Sequence, residues 1–373
     1  MSGEPTAVEV DAVLAPLEHS RDVSGIAKLV ADGRLNPDEV VAVTGKTEGC
    51  TPGETSRIDA DHAIRRFLSD HGSRNDRQIE QIPMVFTAGG VGILAPQVVI
   101  YSRRPSEPAP DNAPRLAIGT ARSQLMQPEW TGTSRVIEVT AEAVVAAADE
   151  AGIAPTDAEF VVGKAYHVPQ AELAEARAQG HSIPEFDDRT LFRKTSGSAG
   201  LGIAVATEGL AVPRGEDVGV QMDLWSGRAC VSANPWEPVG GDGPHTQLVL
   251  LGNRAGAGGR LRVGHSVVAD LLDVEALPRA LRRAGLEVGS GPLTPEQRAR
   301  VVALYVKIGP PPSGRLRGRR QVVDNPGYGS EVKAAVAGMY AAWLQDNLMF
   351  ISGGATHQGP PGGGTLAVVV DVG

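Results

Sequence analysis

Three lysines sit on apolar, β-branched runs: Lys46 in 40-VVAVTGKTEG-49, Lys164 in 159-EFVVGKAYHV-168 and Lys307 in 301-VVALYVKIG-309. An ammonium buried on such a strand is costly, and desolvation lowers its pKa towards the range useful to a general base. Downstream of each lysine an apolar stretch ends in a hydroxyl: Thr87 in 84-MVFTAGG-90, Ser232 in 229-ACVSANP-235 and Ser352 in 349-MFISGG-354. A hydroxyl beside a neutral lysine becomes an activated nucleophile. The residue after each hydroxyl is small (Ala88, Ala233, Gly353), so backbone N–H groups can approach a carbonyl oxygen as in an oxyanion hole. One strand lysine commonly reaches solvent from a sheet edge, and one Ser-Gly-Gly is commonly a turn. Three lysine and hydroxyl pairs in the same order point instead to a shared central site.

The elements that would position these pairs repeat as well. Helical apolar spacing appears in 21-RDVSGIAKLVADG-33, 140-TAEAVVAAADEAG-152 and 267-VVADLLDVEALPRALRRAG-285. Further strands are read in 97-QVVIYS-102, 201-LGIAVA-206, 246-TQLVLLG-252 and 365-TLAVVVDV-372. Two stretches read as linkers, 103-RRPSEPAPDNAP-114 and 252-GNRAGAGGR-260. They divide the chain into repeat units at 1–104, 112–252 and 260–373, the middle one with an insertion between its lysine and its hydroxyl. A strand, helix, strand, helix order predicts an α/β or α+β unit with strands on one side and helices on the other, three of which could pack around one axis.

The chain of 373 residues is 42% hydrophobic, enough for several cores. A net charge of −9 argues against a nucleic-acid or membrane-surface partner. Cys50 and Cys230 cannot form a disulfide framework, and no spacing resembles a zinc site. With no secretory leader pattern and no apolar run of about 18 residues, the expectation is a cytoplasmic protein. His357, in 355-ATHQGPPGGG-364, is the most tempting single histidine, but no serine-histidine-acid order or HExxH motif accompanies it. It reads as a loop-packing residue. The arginines of 315-RLRGRR-320 form a solvated turn or, facing a site, a clamp for carbonyl oxygens.

The segment 350-FISGGATHQGPPGGGTLAVVV-370 resembles the C-terminal signature of the cyanuric acid hydrolase and barbiturase family of ring-opening cyclic amide hydrolases. GKTEG at 45–49, LGIAVA at 201–206 and RGRR at 317–320 are similar to that family in the same order, across nearly the whole chain. The resemblance implies three similar units around a pseudo-threefold axis, each giving a lysine, a hydroxyl and an arginine to a pocket that grips a flat, carbonyl-bearing ring. Carried onto this chain, Ser232 attacks a ring carbonyl, Lys164 activates it, and water hydrolyses the acyl-enzyme. Lys46 with Thr87 and Lys307 with Ser352 polarise the other carbonyls, and Arg57, Arg193 and Arg320 stand for the three arginines. No cofactor is required, and a homo-oligomer, as in a tetramer, is implied.

This sequence departs from the family at several points. Thr87 stands where the family has serine, and ACVSANPWE lacks the usual serine-rich run. Gly309 follows Lys307 closely where many relatives place a glutamate for a structural divalent cation near Ala355, Gln358, Gly359 and Gly362, so no metal is assigned. Ring-facing changes leave the substrate open to another cyclic imide, amide or ureide. The alternative is a non-catalytic homologue that binds a small heterocycle, against which the intact Ser232 and Lys164 pair weighs.

Overall fold

A computed structural model describes residues 7–49, 55–233, 244–321 and 330–373. The first unit runs β1 (Ala7–Pro16), α1 (Ser24–Ala31), β2 (Val40–Lys46), α2 (Ser56–His71), α3 (Asp76–Glu80), β3 (Met84–Thr87) and β4 (Gln97–Ser106). The second runs β5 (Arg115–Arg122), α4 (Arg135–Ala151), β6 (Ala158–Ala165), α5 (Gln170–Ala178), α6 (Asp188–Glu208), β7 (Ala229–Ala233) and β8 (Gln247–Arg254). The third runs β9 (Leu261–Val268), α7 (Ala276–Arg283), α8 (Pro295–Ala299), β10 (Val301–Ile308), a hairpin of β11 (Arg315–Leu316) and β12 (Arg319–Arg320), α9 (Ser330–Leu344), β13 (Phe350–Ser352) and β14 (Gly364–Asp371).

The three large sheets share one strand order. It is β1-β4-β2-β3 in the first, β5-β8-β6-β7 in the second and β9-β14-β10-β13 in the third. Each unit therefore pairs its second and third strands in parallel and its other neighbours antiparallel.

The strands read as near-continuous apolar runs because both faces of each sheet are covered. On the outer faces, helices bury residues such as Ile64 and Phe67 against Val43, Val144 and Ile203 against Val161, and Leu277 and Val336 against Val306. On the inner faces the three sheets meet in one central cluster that includes Ala42, Val85 and Tyr101 of the first unit. Phe160, Val162 and Cys230 join it from the second, and Ala303, Tyr305 and Phe350 from the third. Within it the buried hydroxyls of Tyr101 and Tyr305 lie 2.6 Å apart, and that of Tyr305 lies 2.7 Å from Thr44, so the polar atoms of this core satisfy one another. Close seating of helices on the sheets needs glycine: a Cβ at Gly119 would stand 1.7 Å from the Ala147 carbonyl oxygen, and one at Gly264 2.4 Å from that of Ala280.

Four sequence expectations differ from the observed elements. LGIAVA at 201–206, read as a strand, lies within helix α6 (Asp188–Glu208), where Leu201, Ile203 and Ala204 are buried; a short apolar run of this kind does not by itself separate a strand from a buried helix turn. Strand β4 runs through Arg103–Ser106, inside the first stretch read as a linker, pairing with β1 as far as Ala7. Beyond Ser102 it has lost β2 as a neighbour, and an edge tolerates Pro105. Strand β8 likewise continues to Arg254, paired with β5 as far as Arg115; Gly252 within it packs so closely on Ile153 that a Cβ there would lie 2.3 Å from its Cδ1. The segment 267–285 is not one helix: Val267 and Val268 end β9, and α7 begins only at Ala276.

Candidate active site

Parallel pairing of the second and third strands of a unit brings their C-terminal ends together, and the register aligns the chemistry-bearing residues. Lys46 pairs with Thr87, Lys164 with Ser232 and Lys307 with Ser352. The longer separation in the middle unit is taken up by α5 and the 21-residue α6, which leave that register untouched.

The same strands make the contacts between units, in cyclic order. Strand β3 of the first unit packs on β6 of the second, β7 of the second on β10 of the third, and β13 of the third on β2 of the first. Each hydroxyl-bearing strand thus abuts the lysine-bearing strand of the next unit. All three pairs are buried, Lys46 and Lys307 completely and Lys164 to within 4%.

Their hydrogen bonds differ. The Lys164 Nζ stands 3.4 Å from the Ser232 Oγ, and the Lys307 Nζ 3.1 Å from the Ser352 Oγ. The Lys46 Nζ donates to the Ala88 carbonyl at 2.7 Å and, across the seam, to that of Ile351 at 3.1 Å. Two carbonyl acceptors suit an ammonium. Burial pushes the pKa of Lys307 down to about 8, with the charge of Lys333 on α9 acting in the same direction.

Lys333 and His167 were not singled out from the sequence. Lys333 is 6% exposed, a fourth buried lysine, placed on a helix whose apolar pattern gives no hint of it. His167 lies three residues after Lys164; burial, with a smaller contribution from Lys164, pushes its pKa down to about 4, so it is neutral near pH 7. The signal for both is burial, visible only in three dimensions.

The expected arginines are not gathered alike. Arg57 is half-buried on the first turn of α2. Arg193 is exposed on α6, where its neighbour Lys194 turns inward to donate to the carbonyls of Gly215 and Val218. Arg320 is exposed on the β11–β12 hairpin. Ala88 and Gly353 are half-buried and Ala233 buried, each directly after its hydroxyl. Cys50 and residues 234–243 lie outside the described residues.

His357 is a structural staple. Its Nε2 accepts from the Gly219 N–H at 2.6 Å, so Nδ1 carries the proton donated to the Leu224 carbonyl at 2.6 Å. Burial lowers its pKa. The glycine loop offers no side-chain cation site: the Gln358 Oε1 is taken by the Val231 N–H, and a Cβ at Gly309 would lie 3.0 Å from the Ala355 nitrogen. Among the described residues no group of three or more His, Cys, Asp or Glu could hold a metal. A cation at Ala355, Gln358, Gly359 and Gly362 would rest on main-chain carbonyls without the carboxylates that divalent ions favour. A cavity of about 250 Å³ between β1 and β10 holds none of the lysines or hydroxyls; it opens at the opposite end of β10, beside Val301 and Val302. Among the described residues no helix is long and apolar enough to cross a membrane.

Lysine and hydroxyl pairs buried at matched strand ends are residue types that can serve nucleophilic catalysis. Comparisons with known proteins give the family. Residues 12–371 match the family model described as amidohydrolase ring-opening protein. The chain is 33% identical to barbiturase 2 of Nocardioides sp. (strain ATCC BAA-499 / JS614), covering 96% of this chain and 97% of that protein. It is 36% identical to a cyanuric acid amidohydrolase of Ectopseudomonas oleovorans (strain CECT 5344), covering 94% and 96%. A solved cyanuric acid hydrolase superposes with a TM-score of 0.88 at 28% identity, over 98% of this chain and all of the other. That of A. caulinodans superposes at 0.84 with 29% identity, again over 98% and 100%. The chain belongs to the ring-opening amidohydrolase family and is a hydrolase of cyclic amides.

Proposed function

We propose that this enzyme opens a flat cyclic imide, amide or ureide, of the cyanuric acid or barbiturate type, with Ser232 as nucleophile and Lys164 as its base. The observation that carries the reading is the 3.4 Å approach of the Lys164 Nζ to the Ser232 Oγ on register-matched parallel strands. Hydrogen bonds of this length tighten when substrate binds. Lys164 takes the hydroxyl proton as Oγ bonds to a ring carbonyl carbon. The C–N bond then breaks, and the ring nitrogen leaves with that proton. Water, deprotonated by the same amine, hydrolyses the ester and frees Ser232. Lys46 and Lys307, with Thr87 and Ser352, hold the remaining carbonyl oxygens, and Arg57 borders the pocket. The relatives include both barbiturases and cyanuric acid hydrolases at similar identity, so the substrate is assigned only to their shared class. The resemblance also supports a homo-oligomer working in the cytoplasm.

A second reading is favoured by a specific observation. Lys307 stands closer to its hydroxyl, at 3.1 Å, and its pKa is down at about 8, both suited to a base. One experiment decides. Purified protein is incubated with barbituric acid, cyanuric acid and a panel of cyclic imides, and ring opening is followed by loss of ultraviolet absorbance and a mass gain of one water. Ser232→Ala should abolish turnover, and Ser352→Ala should leave a rate lowered about 10²–10³-fold, the cost of one oxyanion donor. The reverse pattern transfers the nucleophile to Ser352. Lys164→Arg should also be inactive while still binding substrate, because a guanidinium stays charged; near-normal kcat in that variant rules out the lysine as base.

A further inference from the structure

Strand β7, which carries Ser232, is the outer strand of its sheet. The backbone groups on the far edge of such a strand have no sheet partner and normally face water. Here that edge is buried, and its polar groups must be satisfied from elsewhere. They are satisfied by the third unit. The Thr365 Oγ1 donates to the Ala229 carbonyl at 2.6 Å. Just before the strand, the Ser226 N–H donates to the His357 carbonyl at 3.0 Å, and the Gly359 N–H donates to the Ser226 carbonyl at 2.8 Å.

Gln358 acts between these contacts. Its Oε1 accepts from the Val231 N–H at 2.6 Å, and its Nε2 donates to the Val231 carbonyl at 3.0 Å. The same Nε2 reaches the Ser196 carbonyl of α6 at 3.4 Å. The side chain is fully buried. One primary amide thus does what a neighbouring strand would do for a single residue, gripping both backbone polar groups of the residue that leads into Ser232. The corresponding carbonyl in the third unit, that of Ile351 before Ser352, is held from outside its sheet by the Lys46 ammonium. A flexible lysine arm holds one atom, whereas a planar amide fixes two and with them the strand's rotation.

We propose that Gln358 is a positioning residue for the reaction: its amide sets the Ser232 Oγ against the Lys164 Nζ, so the glycine-rich loop of the third unit controls attack in the second. The proposal rests on Ser232 being the nucleophile. Glutamine suits the task because it presents donor and acceptor together. Methionine matches its length and volume but bonds neither group of Val231. Asparagine keeps both atoms on an arm one methylene shorter.

The test compares Gln358→Met and Gln358→Asn with the unaltered enzyme, at a temperature where each variant is folded by its melting curve. Ser232→Ala is measured alongside on the same ring-opening substrate. A displacement of about 1 Å costs roughly 10²-fold in rate. Gln358→Met is therefore expected to lower kcat by about that factor with KM within about threefold, and Gln358→Asn to lie between. If Gln358→Met does not fold, the Gln358→Asn kcat decides alone. A kcat within about twofold of normal, or an effect on KM alone, overturns the proposal while Ser232→Ala is inactive. An active Ser232→Ala enzyme overturns the nucleophile assignment itself, and the role of Gln358 with it.

Discussion

At the scale of single residues, the three lysines occupy chemically different places although they hold one position in the repeat. Lys46 is tied to two carbonyls, and Lys307 faces a serine with its pKa lowered to about 8. This gives a pH test between the two readings of the site. If Lys307 grips a substrate oxygen as an ammonium, KM should climb as pH passes about 8 and the charge is lost. If it is instead the base, kcat/KM should rise through the same pH. Steady-state kinetics from about pH 6.5 to 9.5 on wild type and on Lys307→Met separate the outcomes, because either pH dependence should vanish in the variant. The lysine and hydroxyl pairs were legible because strand pairing makes their spacing a fixed consequence of the register. Gln358 as a clamp, Lys333 and His167 were not, since each owes its importance to burial against groups far away in the chain. The arginines are a different case: the RGRR string carries no register that ties it to a strand pair, and Arg320 sits on an exposed hairpin.

At the scale of elements, the segments that hold the site depend on neutral histidines. His357 staples the loop 354–359 to residues 219–224, and His167 is buried behind Lys164 with a pKa of about 4. Both are lowered from the ordinary histidine value, so the unfolded chain binds their protons more readily than the folded one. Their stabilisation is complete above about pH 6.5 and is lost as pH falls below it, for His167 down towards 4. For His167 alone the loss at about pH 4 is on the order of 3 kcal/mol. Urea unfolding at about pH 8, 6 and 4 should show stability falling over this range, with a shallower fall in His167→Phe; equal slopes in the two proteins would contradict the assignment. Element boundaries were the least legible part. Charge, proline and glycine between residues 103 and 114 and after 252 look like linker, yet Pro105 is tolerated at an edge and Gly252 is demanded by Ile153.

At the scale of the whole molecule, one topology written three times closes on itself, and the repeat was readable because lysine, hydroxyl and apolar run recur in order. The cyclic sequence of contacts was not readable, because nothing along the chain says which unit's edge meets which. Each seam also carries its own charged fastening. Arg103 reaches Glu150 and the Ile118 carbonyl between the first and second units. Glu159 binds His265 and Arg283 between the second and third; burial would raise its pKa, but those hydrogen bonds prevail and hold it at about 2. Arg260 pairs with Asp371 and lies 3.8 Å from Asp11 between the third and first.

The seam between the last unit and the first is thus built like the two that the chain passes through. A closed circuit has no privileged starting point. Joining the present ends through a flexible glycine-serine linker and opening the chain between β4 and β5 should give a circular permutant that unfolds in one cooperative step and keeps ring-opening activity within about an order of magnitude. The seam that was covalent would then hold by packing alone, and the one that was not would become continuous chain. A permutant that expresses but stays unfolded would mean that this enzyme must be threaded in its natural order, for kinetic reasons the finished architecture does not record.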